Sequence, residues 1–304
     1  MTTAPRASIV TAVHEFRACE ELWLEGMMKQ TLPSEAFEVI LVDAVGHPTY
    51  QQLMKQCCSN ADHISYHQIP AHGRARALNH ALSIAKSDLI IFLADDFVAE
   101  PELVASHLKF HEENPEPEAV GIGAGLVPQD LSTDFTIWLE RTGRFFGLPF
   151  YDGMTSIPED FFYVGNASVT RKLLNRAGAF DEIFLFHAGD DFEFGQRLRA
   201  AGMRAQLVTA ATASHRHHVL LEDRTEAFRE LGQNARAVAE RSGEATWLRS
   251  LKLSAPVWSP RVAAARASML INNNSASRQR WWRVTLEAAF ASGYRRGQNG
   301  SRSK

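Results

Sequence analysis

The sequence predicts an α/β protein whose sheet is mostly parallel and carries helices on both faces. Two observations predict it. Short apolar runs rich in β-forming residues alternate with segments of helical periodicity, and in one of those runs, Asp88-Leu-Ile-Ile-Phe-Leu93, the apolar residues Leu89 to Leu93 are continuous rather than alternating. Strand and helix in turn imply crossovers between parallel strands. An unbroken apolar run is what a strand covered on both faces looks like, so 88–94 is expected at the centre of the sheet.

Taken in order, Ser8 to Val13, Glu38 to Asp43, His63 to Ile69 and Asp88 to Ala94 read as strands, and segments near 15–45, 48–60 and 72–86 have helical periodicity. Pro101 stands where a first helical turn tolerates proline, and Leu103, His107, Leu108 and Phe110 continue an amphipathic pattern. A strand follows at Ala119 to Val127. From about 130 to 165 the pattern is irregular and rich in Phe, Trp and Tyr, which predicts a functional loop or lid. Helices near 170–178 and 191–202, a strand at Arg204 to Val208 and a helix near 222–241 complete a first domain, expected over 1–250. Residues 251–304 are expected to be a helical extension with a disordered end.

Composition narrows the function. The 304 residues are 45% hydrophobic and 22% charged with a net charge of −3, ordinary for a globular protein and without an overall drive toward nucleic acid. The extension is locally different. Between 256 and 304 it holds Arg261, Arg266, Arg278, Arg280, Arg283, Arg295, Arg296, Arg302 and Lys304 against the single acid Glu287, interleaved with Trp258, Trp281 and Trp282. It reads either as a surface for anionic membranes or as a solvated closing helix. Met1 to Ala7 lacks the charged start and apolar core of a secretory signal, and no segment is apolar for the length of a bilayer crossing, so a soluble, cytoplasmic protein is expected. Cys19, Cys57 and Cys58 are spaced for neither a disulfide framework nor a zinc site.

Three constellations carry chemistry. Asp95 and Asp96 end the expected central strand, at the edge where open α/β sheets bind ligands. They suit a hard divalent cation, or a helix cap. Gly189-Asp-Asp-Phe-Glu193 opens a helix, where its acids either complement the helix dipole or raise one another's proton affinity enough for general-base work. Ser214-His-Arg-His-His218 offers imidazoles to a metal, or is a surface loop. Gly121-Ile-Gly-Ala-Gly125 lies inside a strand pattern and lacks the helix of a dinucleotide site, and His107 and His111 lack the glutamate of a metalloprotease, so the histidines are expected to be packing or surface residues.

Together with Val39-Ile-Leu-Val-Asp43, Gly73-Arg-Ala-Arg-Ala-Leu-Asn79 and Gly165-Asn-Ala167, these motifs resemble, in order, the family 2 glycosyltransferases of GT-A fold. The resemblance spans about 8–245. It implies inverting transfer of a sugar from a nucleotide diphosphate sugar, most often UDP-linked, to an acceptor hydroxyl on a glycan, a lipid-linked carrier or a small molecule. It implies Asp191 as the base. It implies Mn2+ or Mg2+ at Asp96 and His215, with His217 a nearby substitute. Asp43, Arg74, Asn79, Asp95, Gly165, Asn166 and Asp190 would contact the donor. The chain departs from the family's Asp-x-Asp motif, whose first acid falls on Ala94. Rival readings are a sugar nucleotidyltransferase and a non-catalytic nucleotide-sugar-binding protein.

Overall fold

The computed structural model describes residues 4–13, 19–46, 48–58, 61–70, 73–146, 157–158, 161–184, 189–242, 259–272 and 274–297. The chain divides into two compact units. The first comprises Met1–Leu131, Phe150–Glu182 and Asp190–His217. Its elements in chain order are β1 (Ala7–Val13), α1 (Glu20–Met28), β2 (Phe37–Asp43), α2 (Pro48–Cys58), β3 (Ile64–Gln68), α3 (Arg74–Ile84), β4 (Leu89–Leu93), β5 (Phe97–Ala99), α4 (Leu103–Glu113) and β6 (Ala119–Leu126). After α5, which belongs to the second unit, follow β7 (Asn166–Thr170), α6 (Arg171–Ala177), α7 (Asp190–Ala200) and β8 (Arg204–His215).

The strands form one sheet in the order β3-β2-β1-β4-β7-β6-β8-β5. β1 pairs in parallel with β2 and β4, β2 with β3, and β6 with β8. β7 runs antiparallel between β4 and β6, and β5 antiparallel against β8. The expected α/β architecture with helices flanking a parallel-rich sheet is present, and β4 is central, with each of its five residues buried. The sequence reading missed β5 and β7, and ended β8 at Val208. Each is a stretch whose signal is weak locally: three residues after a turn, Asn-Ala-Ser-Val-Thr, and a Thr/Ala/Ser run without bulky alternation. Ladder hydrogen bonds to neighbouring strands make them strands, a tertiary effect that propensity does not contain.

A bulge lies where β6 and β8 meet, the register stepping from Gly123↔Val208 to Ala124↔Thr212. The Asn166 amide fills it, Nδ2 donating to Ala211 O at 2.8 Å and Ala124 O at 3.3 Å. Gly123 is required there because a β-carbon would collide with that amide. Since Nδ2 is spent on carbonyls, Oδ1 must accept, and His107 Nε2 donates to it at 2.9 Å. His111, one turn on, stands 2.9 Å from Ser168 Oγ. Of the two expected roles, packing or surface, the structure gives these histidines the first.

Burial disfavours the charged imidazole at both sites, lowering His107 and His111 from the ordinary 6.5 to about 4. Below about 6.5 the unfolded chain takes up protons that the native state refuses. Their contribution is therefore complete above that pH and is lost as pH falls from about 6.5 toward 4. The expected slope is up to about 1.4 kcal/mol per pH unit for each histidine. Urea unfolding between pH 7 and 5 should show it, and His111→Gln should flatten it by about half. An unchanged slope in that variant would show that His111 does not titrate as described.

The second unit comprises Ser132–Pro149, Ile183–Gly189 and His218–Lys304. It holds α5 (Asp134–Arg141), α8 (Leu221–Ser242), α9 (Ser259–Asn272) and α10 (Ser275–Arg296). Part of the segment read as an irregular lid is thus the helix α5. A capping box between Thr133 and Thr136 starts it, and Phe135, Trp138 and Leu139 form its buried face. The Gly143, Gly147 and Pro149 that follow punctuate the sequence heavily enough to obscure it. Residues 147–156 and 159–160 of the expected lid, the boundary near 250, Trp258 and the tail from 298 lie outside the described residues. Trp282 of α10 is buried, its ring 5.2 Å from Phe135 and 5.6 Å from Trp138. Gly232 of α8 and Gly293 of α10 face the partner helix's backbone so closely that neither position has room for a β-carbon. Among the described residues no helix is long and apolar enough to cross a membrane.

Candidate active site

Topology collects the candidate residues at one edge of the sheet. β1, β2 and β4 are parallel; β7 opposes β4, β6 opposes β7, and β8 follows β6. β2, β4 and β8 therefore end together, and Asp43, the 94–96 turn and His215 come to that edge. Gly165, just before β7 starts opposite Leu93, joins them.

The turn after β4 is held from several sides. Ala94 O accepts from Phe97 N at 3.1 Å, which makes Asp95 and Asp96 its two central residues. The Ala94 amide donates to Gly165 O at 3.0 Å, Trp23 Nε1 donates to Ala94 O at 2.9 Å, and Thr11 Oγ1 donates to Leu93 O at 2.8 Å. Both aspartates are buried. Asp96 Oδ2 lies 3.3 Å from His215 Nε2 and 3.1 Å from His217 Nδ1. The last residue of β8 is His215, opposite Phe97 of β5, with the Phe97 ring edge-on at 5.3 Å. His217 is two residues on, where an extended chain returns a side chain to the same side.

One donor atom from each of Asp96, His215 and His217 lies within 4.8 Å of the others, and the mixture of one oxygen and two imidazole nitrogens fits a divalent ion. Buried carboxylates need compensation by charge or by metal, which makes the fit physical as well as geometric.

A second group of charges forms where the α3 and α7 N-termini meet. Arg74 opens α3 and grips Asp190 with two bonds, Nε to Oδ2 at 2.9 Å and a second from the other arm of its guanidinium to Oδ1. The Asp190 side chain is fully buried and that of Arg74 is 13% exposed. Asp191 Oδ2 stands 3.6 Å from the same guanidinium. Burial works against the charge on Arg74, but the carboxylates of Asp190, Asp191 and Asp95 together hold it above its usual range. Burial raises Asp191 to about 7 against the pull of Arg74, with Asp190 pushing the same way as burial. Asp190 is thus held in a buried ion pair, while the Asp191 carboxyl is raised toward neutrality.

The remaining candidates are placed as follows. Asp43 is buried, Oδ1 accepting from Val45 N at 2.7 Å and Gly46 N at 2.8 Å, and Oδ2 accepting from the Tyr66 hydroxyl. Burial and that bond push the Tyr66 phenol above its usual value. Asn79 exchanges both its amide groups with the Phe180 backbone, at 2.8 and 3.0 Å. Asn166 is spent in the β6–β8 bulge. Both side chains are engaged within the protein, Asn79 with the Phe180 backbone and Asn166 with β6 and β8. Gly165 is hemmed in by Tyr163, whose Cδ2 would lie 2.7 Å from a β-carbon there. Sequence reasoning missed Tyr66 as the brace of Asp43 and the mutual pairing of Arg74 with Asp190. The His-x-His spacing was a legible signal for pairing His217 with His215.

A family model for glycosyl transferase family 2 matches residues 19–175. A Bacillus subtilis protein described as an uncharacterized glycosyltransferase, YfnE, is 26% identical over 231 residues, covering 60% of this chain and 58% of that protein. The chain spans little more than half the length of the curated relatives it matches. Among solved structures, the fold is similar to the mannosyltransferase PcManGT of Pyrobaculum calidifontis in complex with GDP-Man and Mn2+. Their TM-score is 0.62 at 16% identity, over 96% of this chain and 88% of that one. It is also similar to S. aureus TarS 1-349 in complex with UDP-GlcNAc, TM-score 0.51 at 14% identity, over 98% and 93% of the respective chains.

Proposed function

Because this chain belongs to glycosyl transferase family 2, we propose that it moves a hexosyl group from a nucleotide diphosphate sugar, UDP-linked, to an acceptor hydroxyl with inversion at the anomeric carbon. The observation that carries the reading is the raised carboxyl of Asp191 beside the Arg74–Asp190 ion pair. A base that works at neutral pH needs a proton affinity near neutrality, and burial gives Asp191 that value. In the reaction the acceptor oxygen attacks the anomeric carbon as its proton passes to an Asp191 oxygen. The bond from that carbon to the departing diphosphate breaks on the opposite face, which inverts the centre. Arg74, already committed to Asp190, keeps the base oriented and adds positive charge beside the phosphates. A divalent ion, Mn2+ or Mg2+, held by Asp96 and His215 would meet the negative charge that builds on the diphosphate. Asp43 braces the 44–46 loop for the base, while Asp95, Gly165 and the segments fixed by Asn79 and Asn166 shape the donor pocket.

Support for the donor class comes from the similar folds, which are described with GDP-Man and UDP-GlcNAc. The direct test is a panel of UDP- and GDP-sugars with simple acceptors, following release of nucleoside diphosphate and the anomeric configuration of the product. Inverted product with diphosphate release supports the proposal. Pyrophosphate release, retained configuration, or binding without any turnover would overturn it.

We further propose that the protein works in the cytoplasm, peripheral at the inner membrane face, through its C-terminal helices. Trp282, one of the three tryptophans of this basic segment, is buried in the second unit. The exposed apolar side chains near the α9–α10 connection are Leu270, 69% exposed, and Ile271, 80% exposed, with the exposed Arg266 and Arg280 on the same two helices. Apolar insertion flanked by arginine suits an anionic lipid surface. The protein should sediment with vesicles containing anionic lipid but not with purely zwitterionic ones. Leu270→Asp with Ile271→Asp should weaken this by about tenfold or more. Equal sedimentation of both vesicle types would exclude it.

A further inference from the structure

We infer that His217 replaces the carboxylate missing at Ala94, making the ion site a two-histidine, one-carboxylate set that prefers first-row transition ions to Mg2+. The inference rests on the transferase reading above, in that a divalent ion is taken to bind at this edge of the sheet.

At position 94 the backbone is fixed by Gly165 O, Phe97 N and Trp23 Nε1, so the turn cannot re-aim to bring another donor there. The methyl group of Ala94 supplies neither an oxygen nor a charge. The replacement comes from the far end of the sheet, through β8. Donors sit about 2.1 Å from a first-row ion, so two of them lie about 3.0 Å apart at right angles and about 3.4 Å apart at the tetrahedral angle. The Asp96 oxygen is 3.1 Å from His217 Nδ1 and 3.3 Å from His215 Nε2, so each imidazole already stands one coordination edge away from it. The spacing therefore fits His217 as well as it fits His215.

The consequence is chemical. Mg2+ takes oxygen donors and gives up water reluctantly, so exchanging a carboxylate for an imidazole removes both the donor type and the charge it depends on. Imidazole nitrogen suits the later first-row ions, and a face of two histidines and one carboxylate leaves positions open for phosphate oxygens.

The test uses the full chain, stripped with a chelator and titrated with Mg2+, Mn2+ or Co2+ alone, with no nucleotide present. Calorimetry should give Mn2+ and Co2+ affinities at least about tenfold above Mg2+, and bound Co2+ should give a visible absorption band. His217→Ala should weaken Co2+ binding by about tenfold or more and alter that band. Ala94→Asp should narrow the gap by strengthening Mg2+, and it gives an answer even if His217→Ala fails to fold. Equal Mg2+ and Mn2+ affinities, or Co2+ binding unchanged in folded His217→Ala, would overturn the inference. Because the readout is metal alone, that result together with intact sugar transfer sinks only the role of His217. Normal binding through His217 without transfer to any acceptor upholds the inference and sinks only the transferase reading.

Discussion

Asp191→Asn is expected to lower kcat by about a thousandfold while leaving the fold and donor binding intact, because it deletes the proton acceptor and little else. The amide is nearly isosteric and keeps the oxygen that accepts from Phe192 N at 3.0 Å. A pH profile sharpens the test. With Asp191 raised to about 7, kcat/KM of the parent should climb about tenfold per unit as pH rises toward 7 and level off above it, since the working form is the carboxylate. In the variant that ascending limb should vanish from the residual rate.

Stability moves the other way. A carboxyl whose folded value lies above its unfolded 3.8 stabilises the native state fully at low pH and loses that contribution as pH rises through about 7. The asparagine variant should accordingly be no less stable than the parent at pH 8. A folded variant that retains its rate and its pH limb would transfer the role of base to another group.

Arg74→Met is expected to destabilise the protein by about 3–5 kcal/mol, the usual effect of stranding one member of a buried ion pair. Asp190 is fully buried, and its two bonds to the guanidinium are the charge-assisted, bidentate kind. At this chain length that corresponds to a melting temperature about 10 °C lower. Replacing both partners, Arg74→Met with Asp190→Leu, should restore most of the loss, because the penalty comes from an uncompensated charge rather than from a missing attraction. The single variant should also shift the ascending limb of the pH profile to higher pH. Arg74 is the largest influence holding Asp191 down, and without it burial and Asp190 are opposed only by backbone hydrogen bonds such as that from Phe192 N. A melting temperature within a degree or two of the parent would show that water or another cation already shares the charge of Asp190.

Helical period and strand composition were enough to place β1, β2, β3, β4 and β6 and the helices between them, since these signals are local. Asp191 and Asp96 could be named as candidates because each stands at the end of an element that the pattern defined, and His215 because of its histidine cluster and the order of motifs. β5 and β7 could not be read. Their few residues have no preference of their own, and their neighbours in the sheet are distant in the chain, as in Leu93↔Asn166 and Phe97↔His215. The asparagines show the same limit at the level of side chains. Asn79 and Asn166 sit in motifs that suggest ligand contact, and the fold also engages each amide with backbone groups distant in sequence.

By itself the sequence determined an α/β chain with acids and histidines waiting at strand and helix ends, and the order of motifs that marks its family. Only the tertiary structure decided which of those groups meet. β5 pairs with β8, setting Phe97 opposite His215, and that carries His215 and His217 to Asp96. The junction of α3 with α7 makes Asp190 a partner of Arg74 and leaves Asp191 chemically distinct. The physical reason is that proton affinity and metal affinity depend on burial and on charges a few ångströms away, and those distances are set by chain crossovers rather than by neighbours in sequence.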